Sequence, residues 1–218
     1  MSAFLGHIHY WLYKKIRLVI ERENLILIEG EKRLDDLATE LHNTAIDLYG
    51  APISADEKLE DIIDHSNIHG WLHGQIETAS VREGTFIKDL LDCGGSDAEE
   101  AIITAFTTQG TACGTVAKDQ VNAITRPQEI YQIMQDYYLN GMPCDGGDDV
   151  ISDSDTEFVW EGNHKNQVMN WSKSSVDQSF MRRAYQAWFK AFVEAVDLSY
   201  TFVADETTAT PVYKIVKV

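Results

Sequence analysis

Three histidines spaced four residues apart are the strongest chemical signal in the sequence. His65, His69 and His73 stand in the segment HSNIHGWLH, and positions i, i+4 and i+8 of a helix lie in one row along one face. Apolar residues of the same segment fall on this row, which predicts that the histidines share a buried stripe. A buried imidazole needs a hydrogen-bond partner or a metal ion, because an unpaired polar group in an apolar interior is costly.

A transition metal is the sharper interpretation of these histidines. His9, on the first predicted helix, completes a candidate ligand set with the three histidines of the row. Imidazole nitrogen suits zinc or iron, and helical bundles build such sites from side chains of facing helices. The segment is neither H-E-x-x-H nor a pair of E-x-x-H helices, so it lacks the parts of zincins and di-iron bundles. The alternative is packed or exposed histidines that bond to backbone carbonyls or water.

A second candidate site is aromatic. Glu161-Gly-Asn-His164 is an isolated E-x-x-H in a turn after a predicted strand. Trp71, Trp160 and His164 are the candidate residues of a ligand pocket, and Trp171 is a further candidate for its wall beside Trp160 and His164. The alternative is a turn before a helix that carries one polar side chain, with the tryptophans in the core.

The cysteines indicate a reducing compartment. Cys93, Cys113 and Cys144 are odd in number and widely spaced, with no C-x-x-C, which favours reduced thiols in a cytoplasmic protein. A nucleophilic role for any of them needs a neighbouring base that the sequence cannot show. The common serine-hydrolase and nucleotide-binding motifs are absent from the sequence.

Composition excludes several classes of partner. Acidic residues outnumber basic ones by 35 to 18, for a net charge of −17, and such a surface repels phosphate backbones and anionic lipid. We therefore expect no nucleic-acid partner and no membrane partner. No apolar run reaches the roughly 18 residues that a membrane span requires, and the first residues do not resemble a secretory leader.

Hydrophobic periodicity predicts a mostly helical chain of the α+β class. Helices are predicted over residues 4–29 and 31–49, from about 54 through the histidine row, from 98 onward, over 127–139 and over 177–196, with a break at 93–97. Strands are predicted over 156–161, 198–203 and 212–218, the last two antiparallel. The predicted organisation is an N-terminal helical bundle, residues 1–141, and a smaller region with antiparallel strands and one long helix, residues 150–218. We expect the two regions to pack together as one unit.

Small residues mark a further feature of the histidine segment. Ser66, Gly70 and Gly74 also follow a spacing of four, and small residues on a helix let another backbone approach closely. This pattern predicts a helix-packing face, and a homo-oligomer or a non-catalytic interaction module is one hypothesis for it.

The C-terminal part resembles a known family. The order of strand, linker, long helix and two strands over residues 156–218, with AWFKAFVEAVDLSYTFVADE at 187–206 and PVYKIVKV at 211–218, resembles the ligand-binding domains of the vinyl reductase type. The resemblance implies a fold of that outline and a small-molecule pocket. The cysteines that the family carries in its final strands are missing here, so no metal role and no site residue is carried over.

These observations lead to one principal hypothesis and two rivals. The principal hypothesis is a cytoplasmic protein that binds a small molecule or a metal between its helical part and its α+β part, with the histidine row as the polar feature. The first rival is a metal-dependent enzyme that uses the same histidines as ligands. The second is the interaction module, in which the histidines are structural.

Overall fold

The computed structural model describes residues 5–121, 123–208 and 210–218. Within them the elements are α1 (His7–Leu34), α2 (Asp36–Tyr49), α3 (Leu59–Ile62), α4 (Ile68–Gln120), α5 (Pro127–Met134), β1 (Val150–Asp153), β2 (Glu157–Glu161), α6 (Val168–Ser174), α7 (Gln178–Val196), β3 (Tyr200–Asp205) and β4 (Val212–Lys217). The predicted class, α+β and mostly helical with a small antiparallel sheet, is confirmed.

The first two helices form a close pair. Helix α1 runs through the predicted boundary near residue 30 and ends at Leu34, because the φ of 50° at Asp35 breaks the helical path. Gly30 lies against α2, and a Cβ at this position would come within 2.9 Å of the Ala38 Cβ. Glycine therefore serves here as a packing residue rather than as a helix stop.

Helix α4 is the longest element, with 53 residues. Asn67 caps its start, because the side-chain oxygen accepts a hydrogen bond of 3.1 Å from the Gly70 amide. Gly95 has φ 51° and ψ −128°, so the helix is kinked there. The predicted break at residues 93–97 is confirmed as this kink.

Close packing of α4 against α7 depends on two glycines. A Cβ on Gly110 would lie 2.5 Å from the Trp188 carbonyl oxygen, and one on Gly114 would lie 2.4 Å from the Phe192 carbonyl oxygen. The absence of side chains at these two positions lets the α7 backbone lie directly on α4. The small-residue packing face of this helix is therefore at 110 and 114, whereas Gly74 has no atom of the described chain within 4 Å of a built Cβ.

The four-stranded sheet has the order β1-β2-β4-β3, and every neighbouring pair is antiparallel. Helix α7 covers one face of it: Phe189 contacts Phe202 and Tyr213, with ring centroids 5.5 Å and 6.0 Å apart. One apolar cluster joins buried residues of α1, α4, α7 and the sheet. The helical and α+β parts of the chain share this core.

Two ion pairs are buried where α1 meets α4. Arg22 donates two hydrogen bonds of 2.8 Å to the carboxylate of Glu83. Arg82 donates to both oxygens of Glu23 at 2.9 Å, and the His42 imidazole approaches the same carboxylate at 2.9 Å. The pattern of apolar residues did not predict these pairs, because each charge is buried only by virtue of its partner on another helix.

Candidate functional site

The histidine row is not a buried stripe, and that prediction is wrong. Asn67 caps α4, so His65 precedes the helix and bonds to the Glu60 carbonyl at 3.2 Å. His69 and His73 lie on the helix but are exposed. The buried stripe is formed by Ile68, Leu72 and Ile76. Ile68 and Leu72 each precede a row histidine by one position and lie about 100° from it around the helix axis, and Ile76 follows His73 by three positions and lies about 60° from it.

The proposed metal ligands are not assembled into one cluster. The Nδ1 atom of His9 accepts a hydrogen bond from the Gly6 amide at 2.9 Å, at the start of α1. Among residues 5–121, 123–208 and 210–218, no three His, Cys, Asp or Glu side chains are grouped so that they can hold a metal ion. The geometry of the described chain therefore gives no support to a zinc or iron site.

His69 instead has a cysteine as its neighbour. The Cys144 Sγ atom lies 3.5 Å from His69 Nε2 and 3.9 Å from an oxygen of Asp145. Both Cys144 and His69 are exposed. Cys93 is exposed and Cys113 is buried, and all three cysteines are free thiols.

A pocket opens beside this cysteine, and we call it the junction pocket. It has a volume of about 340 Å³ and lies where α4, the loop before β1 and the segment of α6 meet. Its lining residues are His73, Ile76, Glu77, Gly141, Met142, Asp145, Lys165, Asn166, Met169, Asn170 and Lys173. Only His73 of the predicted site residues is among them, so the polar character of the pocket comes mostly from residues that the sequence did not single out.

Asn170 is the most informative lining residue. It is only 8% exposed, and its side-chain amide forms no hydrogen bond within the described part of the chain. Its amide atoms are not among the buried polar atoms that lack a partner in the described chain, so they reach the solvent that fills the open pocket. Asn170 therefore presents an unused donor and an unused acceptor to the pocket.

The charges around the pocket are of both signs. Lys173 pairs with Glu77 at 2.7 Å, across from α6 to α4. Lys165 pairs with Asp149 at 3.0 Å. These ion pairs are largely exposed, so they contribute little to stability, but they place ammonium and carboxylate groups at the rim together.

The loop that carries Cys144 is held in place by hydrogen bonds. Asp145 accepts a bond of 2.7 Å from the Met142 amide, and the Asn166 amide donates to the carbonyls of Asn140 and Gly146. Further along, Asp148 accepts bonds from Tyr131 and Asn140 at 2.9 Å and 2.7 Å. Burial raises the pKa of Asp148 above its ordinary value, and these donors oppose the shift.

The predicted aromatic pocket is partly assembled and is filled. Trp160 and His164 line the same small space, but it has no room for a water molecule. The His164 ring nitrogens lie 2.9 Å from the Tyr138 hydroxyl and 3.0 Å from the Tyr213 hydroxyl, and burial lowers the pKa of His164 to about 3. Trp71 belongs to a different apolar cluster, beside Leu72. The His164 imidazole is therefore neutral, and both of its nitrogens are hydrogen-bonded within the core.

A second depression lies between α1 and α4. It has a volume of about 530 Å³, is more open than the junction pocket and is mainly apolar, with Leu18, Ala112, Cys113 and Val116 among its walls. Burial raises the pKa of the Cys113 thiol to about 11, so this thiol is protonated at neutral pH. We refer to this depression as the apolar groove.

Comparison with protein-family models, with characterised proteins and with solved structures found no match. The resemblance of residues 156–218 to vinyl-reductase-type domains stays a prediction. In the part of the chain that the structure describes, no helix has the length and apolar character needed to cross a membrane.

Proposed function

We propose that this protein binds a small polar molecule in the junction pocket. The observation that carries the proposal is the Asn170 amide, which lies in the pocket wall, open to the pocket, with no hydrogen-bond partner in the described chain. A ligand that accepts and donates hydrogen bonds there replaces the water at the amide, and each such bond contributes about 0.5–1.5 kcal/mol. The position of the pocket, between the helical part and the α+β part, agrees with the principal hypothesis from the sequence.

The ligand that fits this chemistry is a zwitterion of the size of an amino acid or a dipeptide. The rim holds the ammonium groups of Lys165 and Lys173 and the carboxylates of Glu77 and Asp145. A molecule with one carboxylate and one amine finds an opposite charge for each end. The volume of about 340 Å³ is near the lower limit for small-molecule sites, which suits a compact ligand.

A thermal-shift screen tests the proposal. The panel contains the free amino acids, including glutamine and asparagine, and glycine-containing dipeptides. A ligand at a hundredfold excess over its Kd stabilises the folded state by about 2.7 kcal/mol, which raises Tm by about 5–10 °C for a domain of this size. We expect at least one panel member to produce such a shift.

Two variants assign that shift to the pocket. Asn170→Leu keeps the shape of the side chain and removes its amide, so we expect binding to weaken by about tenfold or more. Asn43→Leu makes the same chemical change at an exposed position of α2 and should bind as the native protein does. The proposal fails if no panel member shifts the Tm of the native protein, or if Asn170→Leu responds like Asn43→Leu.

A further inference from the structure

Cys144 and His69 are neighbours in space although they are far apart in the sequence. The two residues are 75 positions apart, yet Sγ and Nε2 are separated by 3.5 Å. Cys144 sits in a single 3₁₀ turn, Pro143–Asp145, that is closed by the bond from the Asp145 amide to the Met142 carbonyl at 2.9 Å. The turn therefore holds the thiol against the exposed face of α4, where the imidazole can take its proton.

The pair lies at the edge of the junction pocket. Asp145 lines the pocket and approaches Sγ to 3.9 Å. His73, another lining residue, follows His69 by four positions, which is about one turn of helix, or 5.4 Å. A molecule in the pocket thus has a thiol and a base next to it. An accessible thiol beside an imidazole is the arrangement that activates cysteine nucleophiles.

We propose that Cys144 is a catalytic nucleophile that attacks the carbonyl carbon of an amide or ester held in the junction pocket, with His69 as the base. The inference rests on the proposed function, since the pocket must hold the acyl compound. An amino-acid amide or a dipeptide meets both requirements, because its charged ends suit the rim and its amide carbon is the electrophile.

The step is an acyl transfer followed by hydrolysis. His69 Nε2 takes the thiol proton, and Sγ forms a bond to the carbonyl carbon. The bond from that carbon to the amine or alcohol breaks, and the leaving group departs with the proton from His69. Water then attacks the thioester carbon while His69 takes one of its protons, and the hydroxyl stays on the acyl carbon. The bond from carbon to Sγ breaks, and His69 returns the proton to the sulfur. The products are a carboxylic acid and an amine or alcohol, and the thiol is restored.

Competitive alkylation tests the nucleophile without requiring the pocket. Iodoacetamide is added below one equivalent, and the modified cysteines are quantified by peptide mass spectrometry. Cys93 is the internal reference, because it is also an exposed free thiol. We expect Cys144 to react about tenfold faster than Cys93 at neutral pH. In His69→Asn the Cys144 rate should fall to that of Cys93. His65→Asn, an exposed substitution ahead of α4, should leave it unchanged.

Acylation tests the chemistry. With 4-nitrophenyl acetate, native protein should release nitrophenolate in a burst of one equivalent and carry an acetyl group on Cys144, which water then removes. Cys144→Ser should lose the burst, and His69→Asn should slow both phases. Equal alkylation of Cys144 and Cys93, a Cys144 rate that is the same in His69→Asn, or acetylation spread over both exposed cysteines overturns the proposal.

The two proposals fail separately. If panel members stabilise the native protein but not Asn170→Leu, and Cys144 is unreactive, the binding function is supported and the nucleophile proposal is refuted. A reactive, His69-dependent Cys144 in a protein that binds no panel member removes the proposed ligand class and with it the amino-acid amide as substrate.

Discussion

Lys15 is buried inside the protein, and replacing it should change the pH dependence of folding. Its side chain is 2% exposed, lies over the Trp11 ring at 3.3 Å and donates to the Gln135 carbonyl at 3.3 Å. Burial lowers its pKa from 10.5 to about 7, although Asp136 and Asp148 oppose the shift. The folded state therefore disfavours the charged form, whereas the unfolded chain does not.

The sign and size of the effect follow from that difference. Below pH 7 both states hold the proton, and the folded state bears the full cost of burying the charge. Between pH 7 and 10.5 the folded state releases the proton while the unfolded chain keeps it, so the free energy of unfolding rises with pH. Each pH unit in this window is worth about 1.4 kcal/mol, and the rise from pH 6 to 9 attributable to Lys15 is about 3 kcal/mol.

Urea unfolding of native protein and Lys15→Met at pH 6, 7, 8 and 9 measures this contribution. The stability of native protein relative to Lys15→Met should increase by about 3 kcal/mol over the range. Lys190→Met is the control, because Lys190 is an exposed lysine on α7 and is not among the charges that shift the pKa of Lys15, and its difference from native protein should vary far less with pH. A Lys15→Met difference that is constant with pH, or that falls as pH rises, refutes the reasoning.

Three further predictions concern packing, buried charge and the core imidazole. Gly114→Ala places a Cβ 2.4 Å from the Phe192 carbonyl oxygen and should cost about 1–3 kcal/mol of stability, whereas Gly74→Ala, in open space, should gain up to about 1 kcal/mol. Equal midpoints of urea unfolding for the two variants contradict this prediction. A loss of self-association in Gly74→Ala points to the interaction-module hypothesis. Glu83→Gln leaves Arg22 buried without its counter-charge and should lower the free energy of unfolding by about 3–5 kcal/mol. Glu99→Gln breaks an exposed pair with Arg183 and should lower it by less than about 1 kcal/mol. Similar losses of stability in the two variants contradict the account of the buried pair. The pKa of His164 is near 3 in the folded protein, below the ordinary 6.5, so its contribution to stability is lost as pH falls from 6.5 toward 3. Its NMR signals should therefore remain those of a neutral ring at about pH 4. A ring that becomes charged above about pH 5 shows that His164 is not buried in this way.

The sequence predicted those elements whose signals are local. The long helix predicted over 177–196 is α7, and the Asp177 side chain caps its start by accepting a hydrogen bond of 2.9 Å from the Phe180 amide. The strand β2 lies within its predicted range, and β3 and β4 pair as antiparallel neighbours. In each case the apolar period and the flanking turn or capping residues agree with the tertiary structure, so the pattern was sufficient.

The missed elements are short or exposed. Strand β1 has four residues, all exposed, so it has no alternation of buried and exposed positions to read. Helix α6 has seven residues and was not distinguished from the linker. The prediction of a buried histidine row failed for a different reason. Asn67 caps the helix, so His65 lies outside it. The buried residues Ile68 and Leu72 lie about 100° around the axis from His69 and His73, not in the same row.

The candidate site was predictable only in part. His69 and His73 were singled out, and both lie at or beside the junction pocket. Nothing in the pattern joins His69 to Cys144, because their contact depends on where the loop after α5 returns to α4. Asn170 carries no sequence signal at all, since an asparagine in a short amphipathic helix resembles any exposed polar residue. Its importance arises from its place in the pocket wall without a partner in the described chain, which is a property of the fold.

The most direct measurement of the central claim is an NMR titration of ¹⁵N-labelled protein with glutamine and with glycylglycine. The account predicts saturable shifts of the Asn170 side-chain amide and of the backbone amides of His73 and Asn166, with Ala112 and Val116 in the apolar groove unaffected. An Asn170 amide signal that stays unchanged at saturating concentrations of both probes, or shifts confined to the apolar groove, contradicts the claim that the junction pocket is the binding site for this class of molecule.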